Sequence, residues 1–302
     1  MKKVLLFCIC IMLFSLCVNA KAKKKYLALG DSITYGYTLD NREEVAYAYK
    51  LAKKFDLELT NEAVVGDTTG DLLEALANYN IDDYDVITIC IGANDLLHLI
   101  SGLDSMDALN VIINALNDEE FNNKVDNILK ETDENLKKIM DIVKSGHAQI
   151  YLMNVYHPFD RFSSEIVDKT VDHYVTKLNE VIDKYKDGTN FINLNKEFKK
   201  AKPVNINSQV ARKGYTADPH PTEKGQQLIY ELLKEQYEKN NVETVNIVLA
   251  IAFGIIALLV EVAEVIYTFK KFGVKMPKNG VITEENEVNT EEKKDSSRFI
   301  RS

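Results

Sequence analysis

The 302-residue chain is long enough to bury a substantial core, and its 46% hydrophobic and 27% charged residues are ordinary for a globular protein. Its formal net charge is −9, with −12 on residues 23–244, an acidic body that argues against a nucleic-acid partner. Of the four cysteines, Cys8, Cys10 and Cys17 fall in the first twenty residues and only Cys90 lies in the body. That leaves the body no intrachain disulfide and no Cys-rich metal site.

Residues 1–22 read as a signal peptide: Lys2 and Lys3, an apolar run from Val4 to Val18, then the small-residue steps Val18-Asn19-Ala20 and Ala20-Lys21-Ala22. The apolar run is short for the ~20 residues that a spanning helix needs, so export rather than an uncleaved anchor is expected.

From Lys25 the pattern alternates between strand and helix. Tyr26–Leu29 is a short β-prone run that stops at Gly30-Asp31-Ser32, and Gly36 follows. A serine one step past such a strand stands where open α/β sheets place their ligands. A helix cap is the competing role, open to Asp31 as well as Ser32. A helix is predicted over 43–55, a second strand within 57–65, a helix over 69–79 and an almost wholly apolar third strand over 86–91. Cys90 lies in this last run and reads as a buried, inert thiol. Residues 106–145 are helical in pattern with a break near 117–119, strand four is 149–155, and a helix lies within 164–186. A short fifth strand is predicted over 191–194 and a closing amphipathic helix over 222–238. Alternating β and α with continuous apolar strands implies a parallel sheet covered on both faces, in a single domain over residues 23–244.

The composition then changes. Residues 245–267 are apolar except for Asn246, Glu261 and Glu264, and as a helix this run of about 23 residues spans roughly 34 Å. With Tyr267 and Phe269 at its end and Lys270, Lys271, Lys275 and Lys278 just beyond, 245–269 is expected to cross a membrane with the lysines cytoplasmic. The export signal independently puts the body outside. Glu261 and Glu264 count against a span, and an amphipathic helix docked on the body is the alternative. The polar tail, 270–302, is expected to be a disordered cytoplasmic segment.

A serine nucleophile needs a base, an orienting acid and donors for the developing oxyanion. Of the five histidines, His220 has the suggestive setting, Asp218-Pro219-His220-Pro221, where two prolines stiffen a loop before the last helix. His173 reads as surface, His147 as a turn residue, His157 as following strand four, and His98 as a satisfied core residue. Gly66 after the second strand and Asn94 after the third are placed to offer a backbone N–H and a side-chain amide. A turn glycine and a helix cap are the plain alternatives.

These four blocks in order, Gly30-Asp31-Ser32, Gly66, Gly92-Ala93-Asn94-Asp95 and Asp218-Pro219-His220-Pro221, resemble the SGNH hydrolases, also called GDSL-type esterases and lipases. The likeness spans about residues 26–233. It implies a flavodoxin-like α/β/α sandwich and a serine hydrolase without metal or organic cofactor. On that resemblance Ser32 is the nucleophile and His220 the general base, while Gly66, Asn94 and the Ser32 backbone N–H form the oxyanion hole. The family's aspartate usually sits three residues before the histidine, where this chain has Ala217, so the acid role passes to Asp218, two before. Asp31 and Asp95 are expected to brace loops. The chain is therefore expected to be a membrane-anchored extracellular esterase or lipase, with lipid acyl esters such as lysophospholipids favoured. A carbohydrate or cell-wall O-acetyl esterase is one alternative, and a non-catalytic surface binding protein of the same fold is another.

Overall fold

The computed structural model describes residues 22–159, 165–201, 205–207 and 218–272. Residues 1–21 of the expected export signal, Ala217 and the tail beyond residue 272 lie outside them. Residues up to Asn240 form one compact unit, and those from Asn241 another.

In the first unit, strands β1 (Lys25–Gly30), β2 (Glu58–Asn61), β3 (Val86–Cys90) and β4 (Gln149–Met153) form one parallel sheet in the order β2-β1-β3-β4. The helices that connect and follow them are α1 (Ser32–Tyr35), α2 (Arg42–Val45), α3 (Tyr47–Phe55), α4 (Thr69–Leu76), α5 (Ala93–Leu97), α6 (Ser105–Asn114), α7 (Glu119–Val143), α8 (Glu165–Asp183), α9 (Leu194–Lys200) and α10 (Glu223–Phe272). Side-chain alternation splits the core in two. Leu27, Leu29, Ile87, Ile89 and Leu152 point to the face covered by α4, α7 and α8. Tyr26, Ala28, Val86, Cys90, Tyr151 and Met153 point to the face covered by α3, α9 and the start of α10. With both faces buried, β1, β3 and β4 are largely apolar runs, whereas the edge strand β2, Glu58-Leu59-Thr60-Asn61, is only partly buried and mostly polar. The product is the expected α/β/α sandwich, and the Cys90 thiol is fully buried, its pKa pushed well up by desolvation.

Element boundaries differ from the sequence reading in several places, the closing helix over 222–238 running on to Phe272, and two of the differences have a visible local cause. The helix predicted over 43–55 is broken at Ala46, which is extended (φ −68°, ψ 141°), and the N–H of Tyr47 leaves the helix to bond Gln226 at 3.0 Å. The fifth strand predicted over 191–194 shrinks to a single parallel bridge between Ile192 and Met153. Asn193 turns out of extended geometry and its side chain accepts from Lys196 N–H at 2.9 Å, capping α9 and taking the chain off the sheet.

In the second unit α10 continues to Phe272. Val245, Ile247, Ile251, Phe253, Leu258 and Val262 are all exposed on it, and the helix is long and apolar enough to cross a membrane.

Candidate active site

The chain passes from β1 to β2 on one side and then from β2 back across to β3 on the other, so the strand order reverses at the carboxyl ends of β1 and β3, which form the crevice of the sheet. Gly30 makes the turn at β1 possible. Its φ is +156°, and a Cβ there would lie 2.2 Å from Thr34 Oγ1 and 2.5 Å from the Cys90 carbonyl oxygen. Asp31 then caps α1, accepting from Ile33 N–H at 2.9 Å. The capping role therefore falls to Asp31. The Ser32 side chain, free of it, places Oγ 3.0 Å from His220 Nε2. Fully buried Gln226 fixes α1 against α10 by donating to the Ile33 carbonyl at 2.8 Å and accepting from Tyr47 N–H.

On the other side of the imidazole, Nδ1 lies 2.6 Å from Asp218 Oδ1, which also accepts the backbone N–H of His220 at 3.0 Å. The two-residue spacing thus lets one carboxylate oxygen hold both the ring and the backbone of His220. The second oxygen accepts from Asn207 Nδ2 at 2.8 Å. Around this loop, Tyr156 donates its hydroxyl to the Pro219 carbonyl at 2.7 Å, and the Tyr37 ring packs 4.8 Å from the imidazole. His220 and Asp218 keep 17% and 26% of their side-chain surface, so solvent reaches the pair only in part.

Asn94 stands in the first turn of α5. Its Nδ2 donates one hydrogen bond, to the Asp67 carbonyl at 2.9 Å, which ties it to the loop holding Gly66 (φ +93°). That loop is set beside the end of β1 by Val64 N–H donating to the Gly30 carbonyl at 3.3 Å. Asp95 links α5 to α4 and α7, accepting from Thr69 N–H at 3.0 Å, Thr69 Oγ1 at 2.5 Å and Thr132 Oγ1 at 3.0 Å. Burial raises the pKa of Asp95, with those bonds opposing the shift, and burial pushes that of Asp31 up to about 7.

Ser32, Asn94 and His220 are among the residues that line a cavity of about 190 Å³. Leu96, Ile112, Ala115, Phe121, Val125 and Tyr174, from α5 through α8, make the rest of its wall overwhelmingly apolar.

The remaining histidines take other roles. His157 is buried and bonds Phe159 N–H and the Asp168 carbonyl. His147 and His173 are exposed. His98, expected in the core, is exposed too, because Leu96, Leu99 and Ile100 around it take the cavity side. Sequence reasoning missed Asn207, Gln226 and Tyr156. Each bonds a partner far away in the chain, so no local spacing marks it. Among the described residues no group of three or more His, Cys, Asp or Glu is placed to hold a metal.

A hydroxyl within hydrogen-bond reach of an imidazole whose other nitrogen is held by a carboxylate suits nucleophilic acyl transfer. Comparisons with known proteins agree in class. The model of the GDSL-like lipase/acylhydrolase family matches residues 28–228. Among solved structures, phospholipase A1 from Streptomyces albidoflavus NA297 is similar in fold (TM-score 0.53, 18% identity, 71% of this chain and 100% of that one). An extracellular lipase from Streptomyces rimosus is similar too (TM-score 0.53, 20% identity, 70% and 99%). No curated protein matches the sequence. With two thirds of its length matched by that one model, the chain belongs to the GDSL-like lipase/acylhydrolase family and is a hydrolase of ester bonds.

Proposed function

We propose that the protein is a membrane-anchored extracellular serine hydrolase that cleaves acyl esters of medium chain length, with lipid esters such as lysophospholipids favoured. The observation that carries this reading is that the Ser32-His220-Asp218 relay opens directly onto an apolar cavity.

In this mechanism His220 Nε2 takes the Ser32 proton as Oγ attacks the ester carbonyl, and Asp218 holds the ring and stabilises the imidazolium. The oxyanion is received by the backbone N–H of Ser32 and Gly66 and by the second N–H of Asn94, the first being spent on Asp67. His220 then protonates the leaving alcohol, and water activated by the same imidazole releases the acid. The acyl chain lies in the cavity. By the scale of an engineered dry cavity of about 150 Å³ that holds the six carbons of benzene, 190 Å³ takes roughly eight carbons. An acetyl group would leave most of that volume unfilled, which sets the O-acetyl esterase reading behind. Anchoring is supported by the exposed apolar helix after Val245 and the lysines that follow it, and the extracellular side by the signal-like first 22 residues.

The test is covalent labelling of the full chain with a fluorophosphonate. The wild type is expected to label, and Ser32→Ala to lose the label entirely. A Ser32→Ala protein that still labels at the wild-type rate removes Ser32 as the nucleophile.

A further inference from the structure

Asn207 reaches the site from a segment that no motif marks. Residues 205–207 run antiparallel to the histidine loop: Ile206 bridges Pro221, Asn207 N–H donates to the His220 carbonyl at 2.9 Å, and Thr222 N–H donates to the Asn205 carbonyl at 2.9 Å. From that footing Asn207 Nδ2 donates to Asp218 Oδ2 at 2.8 Å and to Thr38 Oγ1 at 3.0 Å. An ionised carboxylate only accepts, so it is the NH₂ end of the amide that faces Asp218.

The division of labour at Asp218 is complete. Oδ1 serves both donors of His220, and Oδ2 is bound by Asn207. A carboxylate held by one oxygen can turn about its Cβ–Cγ bond, which swings Oδ1 off Nδ1; a donor on Oδ2 prevents this. Thr38 anchors that donor from the loop after α1, so the acid is referenced to the same element that carries Ser32. The short spacing between Asp218 and His220 gives this second anchor its importance, since the acid sits in the loop it has to orient.

We propose that Asn207 is a positioning residue that fixes the Asp218 carboxylate and, through it, the His220 ring. The inference rests on the reading of Ser32, His220 and Asp218 as the catalytic relay.

The experiment compares Asn207→Ala, Asn207→Asp and Asp218→Ala in the full chain, by steady-state hydrolysis of a p-nitrophenyl ester with thermal melts alongside. Removing a hydrogen bond to a charged group is expected to lower kcat about tenfold in Asn207→Ala with KM within about twofold. Asn207→Asp keeps the shape but turns a donor into an acceptor facing a carboxylate, and is expected to lower kcat about a hundredfold. A role in packing alone predicts the reverse order, because the isosteric variant would then be the milder one, and that order overturns the proposal. If Asn207→Asp shows no melt, Asn207→Ala decides: a kcat loss of about fivefold or more upholds the proposal and a smaller one refutes it. Asp218→Ala separates the two levels. Wild-type kcat in that variant refutes the relay itself, whereas its loss together with wild-type kcat in both Asn207 variants refutes only the role of Asn207.

Discussion

The proposed acyl cavity yields a prediction with a magnitude. Val125 lies on the cavity wall, on α7, one helical turn beyond Phe121, and is 1% exposed. Val125→Phe adds four carbons to the wall. At the roughly 25 Å³ per carbon implied by the benzene-sized cavity, that removes about half of the 190 Å³. In the wild type each methylene buried up to the octanoyl ester is worth about 0.8 kcal/mol, or roughly fourfold in kcat/KM. Filling space for four carbons therefore takes about 3 kcal/mol from the octanoyl ester, a loss of roughly 200-fold, and leaves the butanoyl ester almost untouched. The assay is kcat/KM on p-nitrophenyl esters from acetyl to dodecanoyl for both proteins. A wild-type profile that is flat or peaks at acetyl, or a variant profile that falls equally at every length, would refute the assignment of this cavity to the acyl chain.

Two further outcomes follow from the polar frame. Asn94→Ala removes the side-chain donor of the proposed oxyanion hole and should lower kcat by ~10²–10³ without changing the fold, as checked by steady-state kinetics and circular dichroism; unchanged kcat takes Asn94 out of the hole. Asp31 is fully buried with a pKa of about 7 against an ordinary 3.8, so the folded state holds its proton where the unfolded state has lost it. Its contribution to stability is thus present in full below about pH 4 and lost as pH rises toward 7, for a total of roughly 4 kcal/mol. Asp31→Asn keeps the oxygen that caps α1 and never ionises, so chemical denaturation should find the two proteins closest near pH 4. The variant should be progressively more stable than the wild type up to pH 7 and above. A stability difference that does not vary with pH would count against the buried ionisation.

How far the chain could be read depended on how local each signal was. The strands announced themselves because burial on both faces of a parallel sheet demands unbroken apolar runs, and β1, β3 and β4 have them. The break before α7 was legible at 117–119 because Asp118 caps the helix that follows. The short strand over 191–194 was misread because one paired residue and a full strand look alike in four letters, and the Asn193 cap that ends the pairing competes with β-propensity. His98 was misread for a related reason: an apolar neighbourhood in sequence does not say which residue of a short helix faces the core.

The sequence by itself determined the alternation that makes an α/β sandwich, the order of the four blocks and, through them, the family. Each of these is a matter of neighbours within a few residues or of a pattern repeated along the chain. Only the tertiary structure decided which of Asp31 and Ser32 caps α1, that Asp218 at two residues' spacing reaches His220, that Asn207 donates to the same carboxylate, and that Gln226 holds α1 through the Ile33 carbonyl. It alone showed that the wall facing Ser32 is an apolar cavity. The physical reason is distance along the chain: Ser32 and His220 are 188 residues apart, and no local rule encodes a hydrogen bond that forms only when both ends of the sheet's connectivity are in place.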